Sequence, residues 1–378
     1  MATVTEADAI AAARTRLKEI MASRQRFGIG GARSRSGTVI DSAAATATKT
    51  IFDPKLIKTP KGEGGRSRLA WLVSIDTHRI FVDAKDRKIL YFYQDHRSLT
   101  VRRIYDFAGA TDVPPKPVLD AGTGAHAGSV SPEAAAAYAH IGAVLDFYFA
   151  NFGRKSFDNP DGSKAGSAVE AYVSYGTVPG AYWCQTQSSD CPKPNVSVYG
   201  PGYTRALDVI AHEFTHGVIT FEANLIYTDE PGAVNEALAD IMGTLVELSF
   251  YGAAGNWQLG EHLPERSLEQ PERSLANPQL KGPDGKSLFA PKASYNPQTN
   301  RGQPDHYNDY IGKDAELCAS TTDYFNGCVH FNSGILNKFA YLAANGGSHD
   351  GETFEGIGPT KLGLIAYRAL TTKLTQAS

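Results

Sequence analysis

His212-Glu213-Phe214-Thr215-His216 carries the strongest signal in this chain. Leu207, Val209, Ile210 and Ala211 precede it and Val218 and Ile219 follow, an apolar periodicity that predicts a helix with one buried face. Residues i and i+4 of a helix share a face, so His212 and His216 can present both imidazoles to one Zn²⁺. Glu213 beside them would polarise a water in the open fourth position. A catalytic zinc takes three protein ligands, and Glu236, 20 residues after His216, is the candidate for the third. It stands in Gly232-Ala233-Val234-Asn235-Glu236-Ala237-Leu238-Ala239-Asp240, where Asn235, Glu236 and Asp240 are expected to open a second helix. Asp240, one turn beyond Glu236, is placed to accept the spare N–H of a ligand histidine and fix its tautomer.

The surrounding chain has 378 residues, 42% hydrophobic and 20% charged, as expected of a globular protein of two or three domains with a sizeable core. Lys plus Arg 37 against Asp plus Glu 40 gives a net charge of -3, which leaves no basic excess for nucleic-acid phosphates or an anionic membrane surface. No apolar run approaches the roughly 20 residues that cross a bilayer. The first ten residues include Glu6 and Asp8 and lack the basic and apolar regions of a secretory signal, so export is absent or its signal has been removed. Cys184 with Cys191 and Cys318 with Cys328 form local pairs outside metal-type C-x-x-C spacing. Two short-loop disulfides and an oxidising compartment follow, although three pairings are formally open.

Along the chain, Thr5 to Arg26 reads as a helix, with Thr5 and Asp8 placed as a capping box and Ala9, Ile10, Ala13, Leu17, Ile20 and Met21 on one face. Gly28 to Thr50 reads as a linker; its Gly28, Gly30, Gly31 cluster has no preceding strand and no Gly-Lys-Ser, so it is not a phosphate loop. Leu69 to Ile75, Arg79 to Asp83 and Lys88 to Tyr93 are predicted strands. Beyond Val113-Pro114-Pro115-Lys116-Pro117, Ser131-Pro132-Glu133 opens a helix that runs to about Phe152. Short strands are expected between Ala168 and Tyr199, and helices from Thr204 onward, interrupted by the Pro, Asn and Gly-rich stretch Leu280 to Pro304.

Several separated segments carry a resemblance to the thermolysin family of zinc metalloendopeptidases. They are Phe152-Gly153-Arg154-Lys155-Ser156-Phe157-Asp158, Ala181-Tyr182-Trp183, the two zinc helices, Arg273-Ser274-Leu275-Ala276-Asn277-Pro278, Pro304-Asp305-His306-Tyr307 and Val329-His330-Phe331-Asn332-Ser333-Gly334. The resemblance implies an α+β fold, a two-lobed zincin with a β-rich N-terminal lobe (100–222) and a mostly helical C-terminal lobe (223–378) joined by the zinc helix. Residues 1–99 resemble the family's propeptide with its PepSY-type end, which implies a small α+β prodomain retained in a proenzyme. The resemblance further implies a secreted, monomeric endopeptidase acting on polypeptides, with one Zn²⁺ on His212, His216 and Glu236, Glu213 as general base, and its own propeptide as inhibitor.

By the same resemblance Tyr227 and His330 would donate to the developing oxyanion, while Arg273 and Ala181 would contact substrate, Arg273 through the carbonyl after the scissile bond. Asn235 and Asp240 would support the ligands from behind. At least one Ca²⁺ is implied at Asp208, Glu247 and Glu261; Asn256 and Gln258 stand where the family places acids, so one ion rather than a close pair is expected. Taken singly, Tyr227 reads as core, His330 as a buried histidine and Arg273 as a surface ion pair; only their motifs give them roles.

Several departures limit the resemblance. The segment between Tyr199 and Asp208 is shorter than in typical members, which removes apolar walls of the pocket for the residue after the cleavage point, though Val209 and Leu259 remain at matching wall positions. Gly180 replaces an Asn that usually holds substrate. Phe325 replaces the Asp that usually orients the catalytic histidine, unless Asp323 reaches it, and an insertion spans about Gly282 to Gln303. These losses leave an alternative, a zinc-containing peptide-binding or inhibitory protein without strong catalysis. A zinc aminopeptidase is disfavoured by the lack of an acidic, Gly-rich amine-binding motif before His212.

Overall fold

The computed structural model describes residues 4–26, 45–52, 67–75, 78–94, 100–110, 116–120, 125–126, 130–159, 166–177, 180–264, 266–268, 270–280, 302–313, 318 and 326–378. The expectations for Phe325, Asp323, most of the Gly28 to Thr50 linker and most of the Gly282 to Gln303 insertion lie outside these residues. The chain divides into two compact units, one of residues 1–106 with 114–170 and one of residues 107–113 with 171–378.

In the first unit, helix α1 (Glu6–Arg26) begins one residue after its cap. The Thr5 backbone N–H donates to Asp8 Oδ2 at 3.1 Å and the Asp8 N–H returns to Thr5 Oγ1 at 3.2 Å, which satisfies two of the amides a helix start leaves unpaired. Ala9, Ala13 and Leu17 are buried against Trp71, Val73, Ile75, Ile80 and Val82. Those residues belong to an antiparallel sheet of β1 (Ala45–Phe52), β2 (Arg68–Ile75), β3 (His78–Asp83) and β4 (Ile89–Gln94), in that spatial order. The Trp71 indole N–H donates to the Val4 carbonyl at 3.1 Å and ties the start of the chain to the sheet.

Strand β1 corrects the reading of Gly28 to Thr50 as linker throughout. Its Ala-Thr-Ala-Thr run offers little apolar contrast, but the strand lies at the sheet edge, where β-branched threonines fit a half-exposed surface and register comes from β2, as in Lys49 opposite Trp71. Strands β5 (Arg102–Asp106), β6 (Leu119–Asp120) and β7 (Ala125–His126) form an antiparallel run. Helix α2 (Pro132–Phe152) starts with Ser131 accepting from the Ala134 N–H, as expected of an N-cap followed by Pro. The buried Arg102 of β5 donates to the Tyr138 carbonyl at 2.8 Å, with its guanidinium 3.9 Å from that ring's centroid.

In the second unit, β8 (Val169–Val173), whose last three residues belong here, pairs in parallel with β10 (Val196–Tyr199), and β9 (Ala181–Cys184) pairs antiparallel with β10. Disulfides join Cys184 to Cys191 and Cys318 to Cys328. Helix α3 (Leu207–Phe221) carries the two histidines and packs on α4 (Asp229–Tyr251). Helix α4 starts earlier than expected: Asn235 and Glu236 lie in its second turn and Asp240 in its third. Asp229 and Glu230 suit a helix N-terminus, and Pro231 is tolerated in a first turn because its missing N–H would have had no intrahelical partner.

The two helices meet closely at Gly243, where a Cβ would lie 2.6 Å from the Asp208 carbonyl oxygen and 3.5 Å from the His212 nitrogen. The rest of the unit comprises a pair of β11 (Gln258–Leu259) with β12 (Arg273–Ser274), helix α5 (Val329–Asn345), a hairpin of β13 (Gly347–His349) with β14 (Glu352–Phe354), and α6 (Pro359–Thr372). The two small sheets add strand structure to a region read from sequence as helical. Among the described residues no helix is long and apolar enough to cross a membrane.

Candidate metal centre

Helices α3 and α4 bring His212, His216 and Glu236 to one point. The two Nε2 atoms are 2.9 Å apart, His212 Nε2 is 3.5 Å from Glu236 Oε2, and His216 Nε2 is 3.4 Å from Glu236 Oε1. Each ring is held from behind: His212 Nδ1 lies 2.9 Å from Asp240 Oδ1 and His216 Nδ1 2.8 Å from Asn235 Oδ1. With protons on Nδ1, the Nε2 lone pairs face each other and a buried carboxylate whose Oε2 has no hydrogen-bond partner. That arrangement suits a cation, and the spacings approach the roughly 3.3 Å edge of a tetrahedron with bonds of about 2.0 Å. The residues therefore fit zinc.

The electrostatics favour a neutral His216 beside an anionic Glu236, while His212 holds its proton more firmly than usual. Burial, helped by the charges of His212 and His330, lowers His216 to about 4 despite the pull of Glu236. Burial also acts against the charged forms of His212 and Glu236. It is outweighed at His212, which is raised by its bond to Asp240, and at Glu236, which is lowered by His330, His216, His212 and Arg273. Glu213, 5% exposed on the same helix, is pushed up to about 7 by burial and by the charge of Glu236. A carboxyl group balanced near neutrality can both take and return a proton.

Tyr227 and His330 border the triad on its open side. The Tyr227 hydroxyl donates to Glu236 Oε1 and lies 3.2 Å from His330 Nε2, which is itself 3.4 Å from Glu236 Oε1. Tyr227 is 37% exposed and the His330 side chain 36%, so neither is the buried core group its local sequence suggests. Nor is Arg273 a surface ion pair. It is buried in β12, and its Nη2 and Nε donate to Asp240 Oδ1 at 2.7 and 3.1 Å. Asp240 thus serves His212 and Arg273 together, while its other oxygen accepts from Asn337 Nδ2 at 2.8 Å.

Asn337 was not singled out from sequence; its position seven residues after His330, on the same face of a helix, is the signal that was there. Gln303 is a second such residue, donating to the His330 carbonyl at 2.6 Å. Ala181 lies in β9 beside Val209 and Leu263, while Leu259 is buried in β11, and Gly180 faces open space.

A second cluster lies beside α3. Asp208, Glu247 and Glu261 are all buried, but Asp208 accepts from the Val209 N–H at 2.8 Å and the Gly260 N–H at 2.5 Å. Glu247, Glu261 and His262 offer ligand atoms within 4.8 Å of one another, and Asp208 lies close enough for its charge to act on Glu247 and for that of Glu261 to act on it. Asn256 reaches both carboxylates through Nδ2, at 2.6 Å from Glu261 and 3.3 Å from Glu247.

Comparison with known proteins agrees with this geometry. A family model described as thermolysin metallopeptidase, catalytic domain, matches residues 74–220, and one described as thermolysin metallopeptidase, alpha-helical domain, matches residues 223–378. Bacillolysin of Bacillus cereus is 36% identical over 300 residues, 76% of this chain and 44% of that protein. Neutral protease NprE of Bacillus pumilus is 32% identical over 283 residues, 72% of this chain and 75% of that protein. Among solved structures, the precursor of protealysin, a metalloproteinase from Serratia proteamaculans, matches with a TM-score of 0.55 and 29% identity, covering 74% of this chain and 78% of that one. The chain spans less than half the length of bacillolysin. Its sheet-rich part before α3 and helical part after it are the thermolysin-like architecture, and the relatives imply a zinc cofactor. The chain belongs to the thermolysin metallopeptidase family.

Proposed function

We propose that the chain is a secreted zinc endopeptidase that hydrolyses internal peptide bonds of polypeptides and is made as a proenzyme. The observation that carries this is the buried His212–His216–Glu236 triad with Glu213 on the same helix and two half-exposed donors, Tyr227 and His330, at its open side. Zinc, when bound by the triad, supplies Lewis-acid polarisation of a water and of the peptide carbonyl. Glu213 removes the proton of the attacking water and delivers it to the leaving amine. Tyr227 and His330 hydrogen-bond the oxyanion as charge develops on it. Arg273, held by Asp240, presents its remaining donors to the carbonyl after the scissile bond, and Ala181 lines the substrate strand.

The same reading makes residues 1–99 an inhibitory propeptide and assigns catalysis to 100–222 and 223–378 in a monomer. It includes one divalent cation at the buried carboxylates beside α3, for which Asp208, Glu247 and Glu261 supply the charge and the resemblance implies calcium.

The test is cleavage of unfolded casein with zinc analysis. Hydrolysis should stop with a strong chelator and return with zinc, and Glu213→Gln should keep zinc without cleaving. Cleavage that ignores the chelator, or full zinc without cleavage, overturns the reading. Protein beginning at Val101 should be more active than the full chain and be inhibited by added residues 1–99; equal activity without inhibition removes the proenzyme.

A further inference from the structure

Glu247 and Glu261 are buried side chains, 1% and 4% exposed, and each is only half satisfied. Asn256 Nδ2 contacts Oε1 of both, and its orientation is fixed because Asn256 Oδ1 accepts from the Gln258 N–H at 2.6 Å. The other two oxygens, Glu247 Oε2 and Glu261 Oε2, are buried without a hydrogen-bond partner. A neutral amide cannot compensate two buried carboxylates, and unpaired buried charge is costly. Burial, with the charges of Asp208 and Glu261, pushes the Glu247 carboxyl well up, so the pair keeps a proton or binds a cation.

The third group at this point is an imidazole. His262 Nδ1 lies 3.5 Å from Glu261 Oε1, and the three side chains offer ligand atoms within 4.8 Å of one another. Asp208, the remaining carboxylate, has both oxygens engaged by backbone amides. The converging set is two carboxylates and one nitrogen. Calcium prefers about six to eight oxygen ligands, whereas imidazole with carboxylate suits zinc and its neighbours.

We propose that Glu247, Glu261 and His262 form a second metal site that holds a first-row transition ion, zinc foremost, in preference to calcium. This refines the cation named under the proposed function and stands apart from the metal on His212. The site lies beside the loop whose Gly260 N–H bonds Asp208 in the first turn of α3.

The experiment is elemental analysis of the full chain after dialysis against metal-free buffer with calcium in large excess. The full chain should retain about two transition ions. His262→Ala should retain about one, with peptidase activity unchanged, and Glu236→Ala should retain about one without activity. One transition ion with one calcium in the full chain, or two transition ions persisting in His262→Ala, overturns the proposal. Should His262→Ala fail to fold, the cobalt-loaded full chain decides: absorption of both cobalt ions surviving calcium supports the site, and loss of one to calcium overturns it. Failure of the first centre is distinguishable, because Glu236→Ala would then leave the metal count and the activity as they were.

Discussion

The hydroxyl of Tyr227 and Nε2 of His330 stand 3.2 Å apart although 103 residues of chain separate them. Both also reach Glu236 Oε1, so the two donors share one target. Tyr227→Phe and His330→Ala should each lower kcat about a hundredfold with little change in KM, as expected for donors used chiefly in the transition state. The double variant should lose less than the product of the two, since neighbours with a common partner are not additive. Steady-state kinetics on a fluorogenic peptide measures this, and strictly multiplicative losses would mean that the two act separately.

The carboxyl of Glu213 makes stability depend on pH once zinc is removed. Its value rises from the ordinary 4.5 to about 7 in the folded chain. A raised acid binds more protons folded than unfolded, so its contribution is complete below 4.5 and is lost as pH climbs toward 7. In chelator, Glu213→Gln should therefore match the parent near pH 4 and exceed it in stability at pH 7 and above. Denaturant unfolding across this range tests it; a gap that is constant with pH would show that Glu213 is not buried as described.

Asp240 is shared by an imidazole and a guanidinium. Asp240→Asn should weaken zinc retention about ten- to a hundredfold, the usual consequence of losing a partner behind a ligand histidine. It also takes from the buried Arg273 the carboxylate that its Nε and Nη2 donate to, which should lower stability by about 3 kcal/mol. Chelator competition and denaturant unfolding read the two effects, and unchanged zinc affinity would separate Asp240 from the metal.

The capping of α1 is a local test in the first unit. Thr5→Ala removes the hydroxyl that accepts from the Asp8 N–H and should cost about 1 kcal/mol. A melt of residues 1–99 produced alone, beside the same piece with the substitution, reads it. No difference would mean that Trp71 and the sheet, rather than the cap, hold the start of the helix.

What the sequence disclosed follows from how local each signal is. The i, i+4 spacing of His212 and His216 and the turn between Glu236 and Asp240 are properties of single helices, so they could be read directly. The Thr5–Asp8 and Ser131 caps and the two short disulfides are local in the same way. Strand β1 escaped because alanine and threonine give weak contrast and its register comes from a neighbour. His262, Asn337 and the burial of Arg273 escaped for a deeper reason: each gains its partner through packing between elements distant in sequence. At the second cluster the likeness named Asp208, Glu247 and Glu261, while the folded chain also brings His262 to the two glutamates and bonds both Asp208 oxygens to backbone amides.

The near-contact at Gly243 acts as a shim between two jaws. One jaw carries both imidazoles and the other the carboxylate, and the gap between them is gauged by backbone touching backbone two turns along from Glu236. Only a hydrogen atom fits there. A methyl group would wedge the jaws open at their root, and the grip on the ion would slacken at a distance from the change that caused it. The spacing of the His212, His216 and Glu236 side chains is thus machined into a residue that has no side chain of its own.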